Sequence, residues 1–347
     1  MNRQELVTSL ELVAPALAAD NSVPMFENYC FDKKTVCGYN DRLGIVAPCK
    51  TTEAFAVNGK VLLGLLKNSH SDDVDFLIED KHDITVKAGK SRFHLPFMPA
   101  EDFLFKAPTG KATLEMPVDE TLLSGLEACL LTSSKDLTQE VLLGVTLKPG
   151  PSKTMAFYSC DGDAVTRFLL KAKATDLEAL LPNEFCEAFV RTVAETKADF
   201  VFLKIISDEW AWVHTNTGID IYGRLLKPDN PLDHEELIAK TVKDKITFNP
   251  VPKALDQALS RARIVADPES AKTELEVSDG KLLLHTSTHM GVVNDSMTWR
   301  EHPEVKADVS AMLVQRAIGL CDEMAVLERC TAYRKGQNLF IVASNMG

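Results

Sequence analysis

The chain has 347 residues, with 38 Lys and Arg against 50 Asp and Glu, for a formal charge of −12. An apolar fraction of 45% and a charged fraction of 25% are those of a globular protein, and no apolar run reaches the ~20 residues of a membrane-spanning helix. Disorder, collagen, coiled coil and membrane protein are excluded, and the charge by itself argues against a basic protein that coats nucleic acid.

The N-terminal MNRQELVTSLELV has neither the basic flank nor the apolar stretch of a signal peptide, so a cytoplasmic location is expected. Residues 3–18 space Leu6, Leu10, Val13 and Leu17 for a helix that Pro15 kinks or ends. A hairpin follows over 34–50, then an amphipathic helix from Val57 and a strand pair over 82–99. The same series recurs. A helix over 118–132 (Leu122, Leu126, Cys129, Leu130) precedes a hairpin over 153–172, a helix from Asn183 and a strand pair over 209–226. A helix over 252–264 (Leu255, Ala258, Leu259, Ala262) precedes a hairpin over 280–299, a helix from Asp308 and a strand pair from Cys330. The second helices begin 126 and 125 residues apart, and glycine occupies the turn of each closing strand pair. The fold class is therefore α+β, in three pseudo-repeated domains of two helices on antiparallel sheet: 1–110, 111–243 and 244–347. The joints fall near APTGK (107–111) and residues 240–245, where polar residues replace the apolar pattern.

Chemical motifs are sparse. The eight cysteines contain no C-x-x-C pair and mostly sit among apolar neighbours, as reduced core thiols do. His285 and His289 lie in a strand-like context, where four residues span about 13 Å, too far for one metal ion. KAGKS (87–91) lacks the first glycine of a phosphate loop, its place taken by Ile84. No metal, cofactor or catalytic constellation is expected.

Three segments point to a family. AGKSRFHLPFMPAEDF (88–103) resembles the G-x-S-R-F-x-L and P-A-x-D-F elements of the bacterial DNA sliding clamp, the beta subunit of DNA polymerase III. SCDGDAVTRF (159–168) is similar to the family's T-D-G-H-R-L stretch, and LLKPDNP (225–231) stands where the family has L-V-D-G-x-F-P. The resemblance covers the chain in order. It implies a ring of two head-to-tail subunits, without enzymatic activity, around double-stranded DNA held independently of sequence. It also implies a peptide pocket for the polymerase and the clamp loader. A soluble α+β enzyme, or a decoy homologue that binds partners without encircling DNA, are the alternatives.

A ring that slides needs scattered cations toward the phosphates and no base contacts. Lys60 and Lys67 lie opposite Leu62, Leu65 and Leu66; Lys253 and Arg261 lie opposite Leu255, Leu259 and Ala262. These four are the candidate DNA-facing residues, with an ordinary solvated face as the alternative. The helix at 183–196 fits poorly, since Arg191 is mixed with Glu184, Glu187 and Glu195. For the dimer interface the resemblance suggests Phe103 and Phe105 on one side and Ile264 and Val265 on the other, or else four ordinary core residues. Its peptide pocket falls on Leu142, Cys160, Gly162, Asp163 and Val165, with Pro231, Leu237, Ile341 and Ala343. This chain departs from the family there: Asp163-Ala164-Val165 replaces His-Arg-Leu, and the ending is FIVASNMG. A different partner peptide is the expectation, neutral drift the alternative.

Overall fold

The computed structural model describes residues 1–19, 23–79, 83–196, 199–242, 246–266, 272–299 and 303–344. The joint expected at 243/244 and the ending at 345–347 lie outside the described residues. The first series of elements is α1 (Arg3–Val13), β1 (Asn28–Asp32), β2 (Thr35–Tyr39), β3 (Leu43–Pro48), β4 (Ala54–Asn58), α2 (Gly59–Lys67), β5 (Val74–Ile78), β6 (Asp83–Ala88) and β7 (Ser91–Pro99). The second is β8 (Ala112–Pro117), α3 (Glu120–Leu130), β9 (Gly144–Pro149), β10 (Thr154–Cys160), β11 (Ala164–Lys173), β12 (Ala179–Pro182), α4 (Asn183–Thr196), β13 (Phe200–Ile206), β14 (Trp210–Thr215) and β15 (Asp220–Arg224). After α5 (His234–Thr241) comes the third: β16 (Asn249–Pro250), α6 (Leu255–Val265), β17 (Lys272–Ser278), β18 (Lys281–Thr288), β19 (Gly291–Thr298), β20 (Val305–Ser310), α7 (Ala311–Leu320), β21 (Glu323–Leu327), β22 (Cys330–Lys335) and β23 (Asn338–Ala343).

Local chemistry sets the boundaries. Asn58 caps α2 by accepting from the Val61 amide at 3.0 Å, and Ser310 caps α7 through the Leu313 amide at 3.4 Å. Pro15 stops α1, whose chain continues as a 3-10 turn over Ala14–Ala16. Gly89, Gly218 and Gly336 open β7, β15 and β23 from positive φ (63°, 85° and 61°), which glycine adopts without strain. The sequence patterns left α5 unassigned. Its signal was local: Asp233 caps it by accepting from the Glu236 amide at 3.0 Å, and Glu236 pairs with Lys240 at 2.6 Å, one turn on.

The strand order repeats three times: β4-β1-β2-β3, β12-β9-β10-β11 and β20-β17-β18-β19. All the pairings are antiparallel among the described residues. The last strand of the second series, β15, then pairs with β3 of the first, from Gly223↔Leu43 to Asp220↔Val46. Likewise β23 of the third pairs with β11 of the second, from Ala164↔Val342 to Arg167↔Leu339. Among the described residues, sheets of 11, 8 and 4 strands result. Two compact units form, Met1–Asp119 with Leu181–Leu225, and Glu120–Leu180 with the described residues from Leu226 on. They cut across the expected boundaries because neighbouring repeats share sheets.

In the first unit Leu6, Leu10 and Val13 of α1 and Leu62 and Leu66 of α2 are buried, and Phe31 and Phe76 pack on Phe55 with centroids at 4.6 and 5.0 Å. In the second, Leu255, Leu259 and Ala262 of α6 share a core with Val314 and Ala317 of α7. Each large side chain so buried contributes about 1.5–3 kcal/mol.

Gly223 leaves no room on the strand that joins β14 to β3. A Cβ there would lie 2.6 Å from Cβ and Cγ of Phe185, a fully buried residue of α4. Gly223→Ala should therefore cost about 1–3 kcal/mol, seen as a lower urea midpoint with an unchanged slope.

Candidate functional site

Four helix-borne cations were expected to face DNA. Lys60 and Lys253 are exposed, and neither makes an ion pair among the described residues. Lys67 is neutralised by Glu11 of α1 at 2.7 Å. Arg261 donates twice to Asp295 of β19, at 3.1 and 2.7 Å. Exposed pairs of this kind are worth little to stability, yet each offsets the field its cation would project. Arg316, exposed on α7, was not among the four; the same helical spacing applied to 311–320 picks it out opposite the buried Val314. The polar side of α4 is acidic, with Glu184 and Glu187 exposed and Arg191 bound to Glu195 at 2.7 Å.

Eight of the nine expected pocket residues gather around the seam between β11 and β23, and Pro231 is not among them. Cys160, Val165 and Ile341 are buried in one apolar cluster, with Leu142 and Leu237 packed on its margin. Val165 is the register partner of Ile341. Gly162 makes the β10–β11 turn at φ 97°, and the Asp163 carbonyl accepts from the Ala343 amide at 2.7 Å. The turn is held by Asp161, whose Oδ1 accepts from the amides of Asp163 and Ala164 at 2.9 and 2.7 Å. Burial nevertheless holds the Asp161 carboxyl above the usual aspartate range, and the Asp163 charge adds to this. Pro231 lines a cavity of about 280 Å³ with Val141, Leu180, Leu226, Pro228 and Leu232, and with Glu178 and Lys227 as its charged members. Leu180, Leu226 and Leu232 were missed because their strand and loop come together only through the Leu180↔Leu226 bridge.

A polar network adjoins this cluster. The Tyr158 hydroxyl donates to Glu235 at 2.6 Å, and Arg167 Nη1 reaches both oxygens of Glu235 at 3.3 and 3.2 Å. Lys148 lies over the Tyr158 ring at 5.1 Å and donates to the Leu232 carbonyl at 3.4 Å. His234, 2% exposed, stacks obliquely on Tyr158 at 5.3 Å. Its Nδ1 has no hydrogen-bond partner among the described residues.

The four residues expected at a dimer interface divide. Phe103 is buried with Phe26, Cys30, Tyr39 and Ala56, and Phe105 packs between Tyr39 and Tyr222 at 4.9 and 5.7 Å. Both side chains face inward, and the exposed residue of that segment is Leu104. Ile264 is 77% exposed, Val265 is half-buried, and Met290 and Val292 are exposed on the hairpin that Gly291 brings against Val265. The adjoining strand, β19, pairs only with β18 among the described residues. Residues 91–96 of β7 pair with β6 on one side, while β4 reaches only residues 97–99.

Burial, aided by the Lys148 charge, pushes the His234 pKa down to about 4 from 6.5. The folded state then binds fewer protons than the unfolded one between these values. The stability from a neutral His234 is complete above about pH 6.5 and is lost as pH falls toward 4. His234→Gln should flatten that slope by roughly 3 kcal/mol, measured as the difference between variant and parent urea midpoints at pH 7 and pH 4.5.

No family model matches the chain, and no curated protein matches it. Solved structures do. The beta sliding clamp of C. crescentus superposes with a TM-score of 0.87 at 15% identity, over 100% of this chain and 98% of that one. The DNA polymerase sliding clamp of Pseudomonas aeruginosa gives 0.82 at 16% identity over 99% and 98%. The DNA polymerase III beta subunit of Thermotoga maritima gives 0.81 at 18% over the same shares. From end to end, the chain has the fold of the bacterial DNA polymerase III beta sliding clamps, with a divergent sequence.

Proposed function

We propose that the chain is a DNA sliding clamp. Two copies of its three clamp domains close head to tail into a ring around duplex DNA, and a peptide pocket tethers the replicative polymerase and the clamp loader. It is a hub without catalytic activity. One observation carries this reading beyond the fold. Within the chain, the third strand of each repeat pairs with the last strand of the next: β3 with β15, β11 with β23. Among the described residues that rule leaves two strands unmatched, β19 at one end and residues 91–96 of β7 at the other. A second copy satisfies both at once, since a two-fold pairing of these two edges closes on itself. The interface is then built on β19, Ile264 and Val265 against the strand of Phe93 and Leu95, while Phe103 and Phe105 support it from within.

In the ring, Lys60 and Lys253 are the principal phosphate-facing cations, with Lys67 and Arg261 partly screened by Glu11 and Asp295. A mass of twice 38.3 kDa in solution is expected. The ring should stay on nicked circular DNA and slide off once that DNA is linearised. Lys60→Glu with Lys253→Glu should lower retention several-fold and make its loss with salt shallower. Val292→Asp should give a monomer that is not retained. A parent monomer at micromolar concentration overturns the ring. A dimer that no circle retains leaves a clamp-shaped binder of partners.

In this reading the peptide pocket takes in Leu142, Cys160, Gly162, Asp163 and Val165 with Pro231, Leu237, Ile341 and Ala343, and Pro231 lines the 280 Å³ cavity. Asp163 puts an acid where other clamps have a histidine, so the partner peptide differs from the one they take. A labelled peptide carrying a bacterial clamp-binding motif should fail to saturate in the low-micromolar range; saturation there overturns the altered specificity and leaves the ring untouched.

A further inference from the structure

We propose that Cys30 and Cys37 are a redox pair, closed by hydrogen peroxide into a reversible cross-strand disulfide within the β1–β2 hairpin. The tight turn at Asp32, whose Oδ1 accepts from the amides of Lys34 and Thr35 at 2.9 and 2.7 Å, fixes the register. Cys30 thereby stands directly opposite Cys37. Opposed residues of antiparallel strands have Cα atoms about 4.5–5.5 Å apart and side chains on one face. A disulfide spans Cα separations of about 4.4–6.8 Å, so the bond needs no movement of the backbone. Among the described residues no other two cysteines are register partners.

The two thiols interact directly, and the chemistry is divided between them. The contact with Cys37 lowers the Cys30 pKa against the effect of burial, while Cys37 is raised. Cys30 is therefore the nucleophile and Cys37 the resolving thiol. Cys30 is buried, with its sulfur 3.9 Å from the Ala100 carbonyl, and Cys37 is half-buried, which admits a small oxidant. The Cys30 thiolate attacks one peroxide oxygen, the O–O bond breaks, and hydroxide leaves to become water. The Cys37 sulfur then attacks the resulting sulfenic acid, the S–O bond breaks, and a second water leaves. Two thiols and one peroxide give one disulfide and two waters. Cys37 is also opposite Val46, and Val46 is opposite Asp220 of β15. The cross-link thus lies in the row of residues that runs into the β3–β15 seam.

Trypsin decides the matter, because Lys33 and Lys34 lie between the two cysteines. The intact chain is treated with peroxide, its remaining thiols are alkylated, and it is digested. The expected product is peptide 4–33 joined to peptide 35–42, lighter by about 2 Da than the two together and separated by dithiothreitol. The other six of the eight cysteines should be alkylated. Cys37→Ser, close to isosteric, should stop at a sulfenic acid on Cys30 that dimedone traps. Recovery of the two peptides separately, or loss of thiols that maps to other cysteines, overturns the proposal.

Discussion

A single pairing constraint organises this molecule: the sheet begun by one repeat is completed by the next. β15 adds to β3 through four residue pairs, and β23 adds to β11 in the same way. An isolated repeat would expose these edges, with their row of unpaired backbone groups. Joining them removes the edges and forces the repeats into two compact units that ignore the repeat boundaries. The close fit of Gly223 against Phe185 is a consequence, because the joining strand lies flat on a buried helix.

The surfaces proposed to be functional lie at the same seams. The apolar cluster of Cys160, Val165 and Ile341 sits where β11 meets β23, so its two walls come from different repeats. The turn at Gly162 is tied to the other wall by the hydrogen bond between Asp163 and Ala343. In the proposed ring, β19 and residues 91–96 of β7 are seam strands as well. Ile264 and Val292 are exposed, while the chemically similar Phe103 is buried.

The charge of −12 acquires a meaning from these placements. Exposed Lys60 and Lys253 stand without carboxylate partners among the described residues, whereas Lys67 and Arg261 are paired. A net charge averages all faces of a molecule, and a few unpaired cations set the local potential that a phosphate backbone meets. An acidic total is compatible with a sparse basic face, though not with a protein that binds nucleic acid by charge over its whole surface.

Much of this was legible along the chain. Helical spacing located α1, α2, α3, α4, α6 and α7, because amphipathic periodicity is a local record of which side faces a core. The recurrence near 125 residues and the turn glycines exposed the repeat, since φ near +60° to +85° restricts the residue type wherever it occurs. α5 was missed, although Asp233 and Glu236 marked its start. What no local pattern carries is partnership at long range. Glu11 neutralising Lys67, Asp295 holding Arg261, and Leu180 meeting Leu226 each join residues distant in the chain. Phe103 and Ile264 are both apolar residues near the end of an element, and only their tertiary surroundings separate a buried anchor from an exposed edge. The sequence determined the elements and their threefold recurrence, because backbone preference and periodicity act over a few residues. The tertiary structure alone decided which charges stay unpaired and which strands lack a neighbour, because those depend on what the rest of the chain brings alongside.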